Sequence, residues 1–128
     1  EPAAAAKLYS EAAVAGYPMA QYALASLHDR GLGVAQDAAR AHALYLRAAR
    51  QGLPQAMFNL GDFALRGLAG PADPVAAYTW WALAAARGIE PAGRNLGILA
   101  KQLTAEQVRE AEAAAAAFRP ARERPEEE

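Results

Sequence analysis

Two histidines are the residues of this sequence best suited to hold a metal ion or to act as a general base. His28 and His42 are the only histidines, and they stand 14 positions apart. A helical metal pair needs ligands one turn apart, at positions i and i+4, and the pattern described below places these two on different helices. A role in packing or at the surface is therefore favoured over metal binding for both residues.

The other side chains that could do chemistry stand in contexts that predict structural roles. The chain has no cysteine, which excludes thiolate zinc sites and cysteine nucleophiles. Asp37 and Asp73 start predicted helices, and Ser10 and Ser26 lie inside helices rather than at a nucleophile elbow. Gly31-Leu32-Gly33 lacks the spacing of a phosphate-binding loop. We therefore expect no catalytic residue, no metal, no cofactor and no enzymatic activity.

Composition indicates an all-helical chain with no nucleic-acid partner and no membrane span in this segment. Of its 128 residues 37 are alanine, the best helix former, and only 8% are aromatic. The formal net charge of −1 argues against a nucleic-acid partner held by bulk electrostatics. No apolar run approaches the ~20 residues that a membrane-spanning helix needs.

An internal repeat of 36 residues is the strongest signal in the sequence. It relates Gly16 to Gly52 and Gly88 without gaps, and alanine, leucine and aromatic positions keep the same register. The matched sets include Ala13, Ala49 and Ala85; Ala20, Ala56 and Ala92; Leu24, Leu60 and Leu96; Leu8, Leu44 and Trp80; and Tyr9, Tyr45 and Trp81. The register of Trp80-Trp81 with Leu44-Tyr45 favours core packing over a role as an exposed stacking platform.

Each period predicts two helices. In the period after Asp37, apolar residues recur on one helical face until Gly52, where a left-handed residue ends the helix. The other helix of the unit runs from Pro54 to Arg66 and stops at Gly67. The predicted segments are the second helix of a truncated repeat at 3–15, repeats at 18–51 and 54–87, and a terminal pair with its cap at 91–118, all within one domain at 1–118.

Small residues in register predict close contacts between helices. Glycine inside a helix costs about 1 kcal/mol relative to alanine, so a mid-helix glycine must recover that cost through packing. The residues expected to allow this approach are Ala20, Ala25, Ala49, Ala56, Gly61 and Gly97. We therefore expect Gly61→Leu to be strongly destabilising by overpacking.

The ends of the repeat carry their own predictions. The segment 3–15 lacks a partner helix, so we expect more sequence upstream, and its exposed face is a candidate contact for upstream repeats or for a second copy of the chain. At the other end, Thr104 and Gln107 form a predicted capping box that starts a terminal capping helix. The charged tail at 119–128, which contains two prolines, is predicted to be disordered.

The repeat resembles a known family. Its motif is Gly31-Leu32-Gly33-Val34-x-x-Asp37-x-x-Arg40-Ala41-x-x-Leu44-Tyr45-x-x-Ala48-Ala49-x-x-Gly52-x-x-x-Ala56-x-x-x-Leu60-Gly61, which is similar to the Sel-1-like repeat, a relative of the tetratricopeptide repeat. The resemblance implies an all-α fold, a right-handed α/α superhelical solenoid of antiparallel helix pairs, with the C-terminal helix as its cap. First helices would line a concave groove, and second helices would form the convex back.

The resemblance also implies a non-catalytic scaffold that binds a protein or peptide partner, within a larger bacterial protein. A structural spacer or self-association segment is the alternative, and a hydrolase-like enzyme is less favoured. Cytoplasm and periplasm both stay open as its location. The groove residues that the family geometry implies are Met19, Tyr22, Ser26 and Asp29, then Phe58, Asn59, Asp62 and Leu65, then Arg94, Asn95, Ile98 and Lys101.

These twelve positions suggest how a groove would hold an extended segment. Tyr22 and Phe58 stand in register as possible apolar anchors. Asn59 and Asn95 are also in register, and their amides would either bond a peptide backbone or brace adjacent turns of the protein itself. The basic residues of the last set would favour a ligand with a carboxylate nearby.

Overall fold

The structure is a computed structural model, and it describes residues 1–123. Those residues form helices joined by turns, with no strand among them. The helices are Pro2–Val14 (α1), Pro18–Arg30 (α2), Ala38–Arg50 (α3), Pro54–Arg66 (α4), Pro74–Ala86 (α5), Glu90–Ala100 (α6) and Ala105–Ala117 (α7). Over the same residues, none of these helices has both the length and the apolar character of a membrane span.

The helices form two compact units. Unit 1 contains residues 1–53 together with the C-terminal segment from Pro120, and unit 2 contains Pro54–Arg119. In unit 1, α2 packs against α1 and α3; in unit 2, α5 packs against α4, α6 and α7. The boundary at residue 54 coincides with the predicted start of a repeat, whereas the single domain over 1–118 stays a prediction.

Local sequence signals explain where the helices begin. The side chains of Asp37 and Asp73 accept hydrogen bonds of 3.0 Å from the main-chain N–H groups of Arg40 and Ala76, so both aspartates are N-caps as predicted. The capping box also forms, because Thr104 and Gln107 each bond the other's main-chain N–H group.

Glycines end the helices at corresponding places in the repeat. Gly16, Gly52 and Gly88 have φ of 100°, 102° and 95°, a backbone conformation that residues with a side chain rarely adopt. The conformation lets the chain leave one helix and start the next within a few residues. The spacing of these glycines therefore has a backbone cause and is independent of any ligand.

Each unit buries the aromatic residue at the same position of the repeat. Tyr45 is 1% exposed in unit 1, and Trp81 is 4% exposed in unit 2, so these two register positions have equivalent environments. Tyr9, the third member of the series, is 39% exposed because α1 has α2 on one side only. Trp80 is half-buried. The prediction of core packing is confirmed for Trp81.

The predicted close approach through small residues holds at Gly61 and fails at Gly97. A Cβ added at Gly61 would run into the indole of Trp81. At Gly97 an added Cβ would meet nothing within 4 Å, and the residue is exposed on α6. The difference arises because Gly97 sits on a face of α6 that no other helix of unit 2 covers, so the repeat register alone does not determine packing at the last copy.

The predicted disorder of the tail also differs from the structure over Pro120–Glu123. Ala121 donates its main-chain N–H to the carbonyl oxygen of Arg50 at 3.0 Å, and Glu123 pairs with Arg47. Charge and proline content predict a solvated segment, but specific donors in unit 1 offer the Glu123 carboxylate a better site than water alone. Residues 124–128 of the predicted tail lie outside the described residues.

Candidate partner-binding site

A pocket of about 170 Å³ in unit 2 is the place where several predicted groove residues meet. It lies between α4, α5 and α6. The residues that line it are Asp62, Leu65, Trp81, Asn95, Ile98, Leu99 and Gln102. Four of the twelve predicted positions are therefore brought together, two from α4 and two from α6.

The floor of the pocket depends on the position of Trp81. Its indole N–H donates a hydrogen bond of 3.0 Å to the main-chain carbonyl oxygen of Phe58 on α4. Gly61 makes this approach possible, because any side chain there would occupy the space of the indole ring. The buried indole and the buried Leu99 give the pocket an apolar base.

The rim of the pocket is mixed. Ile98 is 62% exposed, which leaves a large apolar side chain available at the edge. Asn95 and Gln102 contribute amide groups, which both donate and accept hydrogen bonds. Asp62 is the acidic member, and its carboxylate accepts a hydrogen bond of 3.0 Å from Arg66 one turn later. An apolar base inside a ring of amides suits an apolar side chain carried on a polar backbone.

The basic residues predicted on α6 lie outside this pocket. Arg94 pairs with Glu90 on the same helix at 2.8 Å, and both side chains are mostly exposed. Lys101 is exposed at the end of the helix. Exposed pairs of this kind contribute little energy, so Arg94 keeps most of its freedom to meet a ligand.

Phe58 and Asn59 are half-buried and are not part of the pocket wall. The Phe58 ring lies 6.5 Å from the Trp81 ring, centroid to centroid, with 32° between the planes. Much of its apolar surface is therefore used inside unit 2. Asn59 and Asn95 occupy equivalent positions of the repeat, but only Asn95 lines the pocket.

The four predicted residues of α2 lie in unit 1. Met19 is exposed, and Ser26 is half-buried. The Tyr22 ring stands 5.7 Å from the Tyr45 ring, which is the same pairing that Phe58 makes with Trp81 one repeat later. The Asp29 carboxylate oxygen Oδ2 lies 3.5 Å from the Tyr45 hydroxyl oxygen. Tyr22 and Asp29 thus both contact the aromatic core of their own repeat.

Three pocket residues were missed by reasoning from the sequence. The repeat register predicts that Trp81 packs in the core, and the residue is indeed buried. The register does not predict that one face of its indole also lines the pocket. Leu99 follows the predicted Ile98 on α6, and Gln102 follows the predicted Lys101 in the turn after the helix. The signal that could have found Gln102 is its position four residues after Ile98, just beyond the end of α6.

The histidines have structural partners. Arg40 donates from Nε to the Nε2 atom of His28 at 3.2 Å, so Nε2 must accept and Nδ1 carries the proton. That Nδ1 atom lies 3.3 Å from the carbonyl oxygen of Ala35, its acceptor. Both ring nitrogens of His28 are thereby engaged at the edge of a second cavity, of about 330 Å³, among α1, α2 and α3.

His42 is half-buried on α3, and burial, with a smaller contribution from the charge of Arg50, lowers its pKa. Within residues 1–123 no group of three or more histidine, cysteine, aspartate or glutamate side chains is arranged to hold a metal ion.

Helix pairs of fixed length, repeated in register with an aromatic core residue in each copy, define a helical repeat protein of the α/α type. The chain belongs to the Sel1 repeat family, since the family model matches residues 18–53 and 54–89, more than half of its length. Sel1 repeats commonly form modules for protein–protein interaction. No curated protein sequence matches the chain significantly.

Solved structures agree with this membership. A protective antigen of uropathogenic Escherichia coli strains that displays an SLR fold is similar to this chain at a TM-score of 0.85 and 31% identity, over 88% of this chain and 24% of that one. A Sel1 repeat protein from Oxalobacter formigenes is similar at a TM-score of 0.63 and 36% identity, over 64% of this chain and 62% of that one. The chain thus spans about a quarter of the length of the first protein and less than two thirds of the second.

Proposed function

We propose that the chain is a non-catalytic binding module whose pocket between α4, α5 and α6 takes one apolar side chain of an extended protein segment. The observation that carries the proposal is the pocket itself: a base of Trp81 and Leu99 with the amides of Asn95 and Gln102 at its edge. Its volume of about 170 Å³ is several times the ~30 Å³ share of a water molecule, which leaves room for a side chain.

The chemistry of the rim fits a peptide backbone. Each amide can donate to a carbonyl oxygen and accept from an N–H group, so two of them at one edge can hold a short stretch of main chain. Ile98 extends the apolar contact beyond the base. Membership of a family whose repeats commonly serve protein interaction supports the same function.

Peptide selection and two point variants test whether this pocket binds a peptide. Peptides selected from a random display library on the wild-type chain would be measured by fluorescence anisotropy against Ile98→Asp. Because the variant puts a charge on the exposed edge of the pocket, we expect at least ~10-fold weaker binding with the fold kept. Val14→Asp is the matched control: Val14 is also an exposed aliphatic residue but lies on α1, and its change should leave the affinity as it was. Equal affinities for all three proteins would contradict the proposal.

Self-association through α1 is a second candidate, and the exposure of Leu8 and Tyr9 favours it. Leu8 is 66% exposed, whereas its register mate Leu44 is buried in the next repeat. Surface of this kind fits a second copy of the chain or an upstream repeat. Light scattering over a range of concentrations would show a dimer that Leu8→Lys returns to monomer. A mass that stays monomeric throughout would exclude the second copy.

A further inference from the structure

A cluster of polar side chains in unit 1 holds the carboxylate of Glu123. Arg47 donates to both of its oxygens, from Nη2 to Oε1 at 2.6 Å and from Nε to Oε2 at 3.1 Å. Gln21, which is fully buried, donates from Nε2 to Oε1 at 3.0 Å. Two parallel bonds from a guanidinium group combine strength with geometric selectivity for a carboxylate.

Main-chain contacts hold the segment that carries this glutamate. The N–H of Glu123 donates to Oε1 of Gln51 at 3.0 Å, and the N–H of Ala121 donates to the carbonyl oxygen of Arg50 at 3.0 Å. Pro120 lies against Gly52, where an added Cβ would stand 3.2 Å from the Pro120 Cβ. The segment is therefore bound in one register, through its backbone at two positions and its side chains at both ends.

Bonds to groups other than Glu123 also orient the amides of the site. Gln51 donates from Nε2 to Oε1 of Gln21 at 2.9 Å and to the carbonyl oxygen of Gly16 at 3.0 Å. Gln21 also donates to the carbonyl oxygen of Ala13 at 3.2 Å. These bonds direct the donor group of Gln21 at the carboxylate and the acceptor oxygen of Gln51 at the main-chain N–H. Side chains that are held by such bonds lose less freedom when a ligand binds, which lowers the entropic cost of binding.

The cluster is foreign to the repeat itself. One period later, the positions of Gln21 and Arg47 are taken by Met57 and Leu83, and both of these are buried apolar residues. The helix pair thus packs well with apolar side chains at these places. Burying a polar group is costly unless its bonds are satisfied, so the buried Gln21 of the first copy is stable there only with partners such as Gln51 and Glu123. The Arg47 side chain is 39% exposed, and its guanidinium bonds Glu123 and the carbonyl oxygen of Ala13.

We propose that Gln21, Arg47 and Gln51 form a binding site, here the glutamate site, for protein segments of the form Pro-x-x-Glu, and that Pro120–Glu123 of the same chain occupies it. The side chains of Ala121 and Arg122 are exposed, so the two middle positions of a ligand are free to vary. The tail then blocks the site against an outside partner that carries the same pattern. This site lies in unit 1 and is independent of the pocket proposed above.

The ionisation of the ligand is consistent with this chemistry. The hydrogen bonds from Arg47 hold the pKa of the Glu123 carboxyl below its usual value, against the opposing effect of burial, and Gln21 adds to them. The ligand is therefore a carboxylate at neutral pH. Glutamine in its place would lose the charge and one of the two acceptors of the Arg47 fork.

The test uses the full-length chain and a fluorescent peptide with the sequence of residues 119–123, Arg-Pro-Ala-Arg-Glu, amidated at its end. A tail variant frees the site by Glu123→Gln; it also carries Glu126→Gln, Glu127→Gln and Glu128→Gln, so that no other tail glutamate replaces Glu123. We expect the tail variant to bind the peptide at least ~10-fold more tightly than the wild-type chain, because a tethered ligand acts at millimolar effective concentration.

Site variants are made in the background of the tail variant. Arg47→Met should weaken binding of the peptide at least ~10-fold. Arg40→Met, which also removes one positive charge from α3 but lies outside the site, should leave it unchanged. A peptide with glutamine in place of its glutamate should bind at least ~10-fold more weakly than the original. Absence of binding by the tail variant, or equal binding of the two peptides, overturns the proposal.

Two further measurements cover the case in which Arg47→Met unfolds and the case in which the tail binds a second copy. If circular dichroism shows that Arg47→Met unfolds, Gln51→Glu replaces it, because a second carboxylate beside the site should repel the peptide to a similar extent. Light scattering of the wild-type chain shows whether the glutamate site is occupied by the tail of the same chain or by the tail of a second copy. A monomer at all concentrations supports occupancy within one chain; a dimer that the tail variant dissolves overturns it.

Discussion

The indole N–H of Trp81 donates a hydrogen bond of 3.0 Å to the main-chain carbonyl oxygen of Phe58 on the neighbouring helix. The bond requires the large ring to lie directly on the α4 backbone, which only a glycine at position 61 allows. In the preceding repeat the same two positions hold Ala25 and Tyr45. The smaller phenol thus accompanies alanine, and the larger indole accompanies glycine, so the volume of the pair is conserved between copies.

Gly61→Ala tests this relationship. Alanine favours helix formation by about 1 kcal/mol over glycine, but its Cβ would displace the indole and break the bond to Phe58. We expect a net loss of about 2 kcal/mol in the free energy of unfolding, measured by urea denaturation. Gly97→Ala is the control, because its Cβ would stand in open space; there we expect a gain of up to ~1 kcal/mol. Equal effects at both glycines would show that Trp81 does not lie on Gly61.

The two aspartate caps should contribute similar and independent amounts. Asp37→Ala and Asp73→Ala each remove one hydrogen bond of 3.0 Å at a helix start, and we expect each to cost about 1 kcal/mol in urea denaturation. Because the two caps lie in different units, the double variant should lose about the sum. Asparagine keeps the acceptor oxygen, so Asp37→Asn should cost much less than Asp37→Ala. A large loss with asparagine would indicate that charge, not capping, is what these residues supply.

His42 should make the chain less stable in mild acid. Its pKa is lowered in the folded state, so between that pKa and the value of about 6.5 in the unfolded chain, the unfolded state binds more protons. The free energy of unfolding therefore rises as pH increases through this window. We expect urea denaturation at about pH 5 and about pH 7 to show a smaller difference for His42→Gln than for the wild type. Arg50→Met, which removes the smaller electrostatic cause, should reduce the difference in part; an unchanged difference in both variants would refute this origin.

Phe118 should stabilise unit 2 from the end of α7. Its ring meets the Trp80 ring edge-on, at 6.3 Å between centroids and 71° between planes, and the Arg87 guanidinium lies 5.5 Å from its centroid. Such contacts add about 1 kcal/mol each to the burial of the ring, so Phe118→Ala should cost about 2 kcal/mol in thermal or urea denaturation. Phe118→Tyr keeps the ring and should be nearly neutral. An equal loss in both variants would place the effect elsewhere.

The positions of the helices follow closely from the sequence, because their determinants are local. Proline in the first turn, aspartate before it and glycine after the last turn act within a few residues, whatever the rest of the chain does. The 36-residue spacing then carries each assignment from one copy to the next. For this reason α2, α4 and α5 begin at or directly after Pro18, Pro54 and Asp73. The helices α2 and α4 also end where predicted, directly before Gly31 and Gly67.

The candidate pocket was only partly visible in the sequence. Register brought Asp62 and Leu65 of α4 together with Asn95 and Ile98 of α6, because the same helical face recurs in each copy. Register could not show that Trp81 would form the base, since this depends on how closely two helices approach at Gly61. It also failed at Gly97, where the last copy has open space instead of a neighbour.

By itself the sequence determined the helices, their caps and the repeat that groups them, since these depend on backbone preferences and apolar spacing along a short stretch of chain. The tertiary structure alone decided the partners of those charged and polar groups that pair with residues far away in the chain. Nothing near Glu123 in the chain distinguishes it from a solvated glutamate. Its environment comes from Arg47, more than half the chain away, and from Gln21, farther still. A carboxylate leaves water only where several donors converge on it, and that convergence exists only in the folded chain.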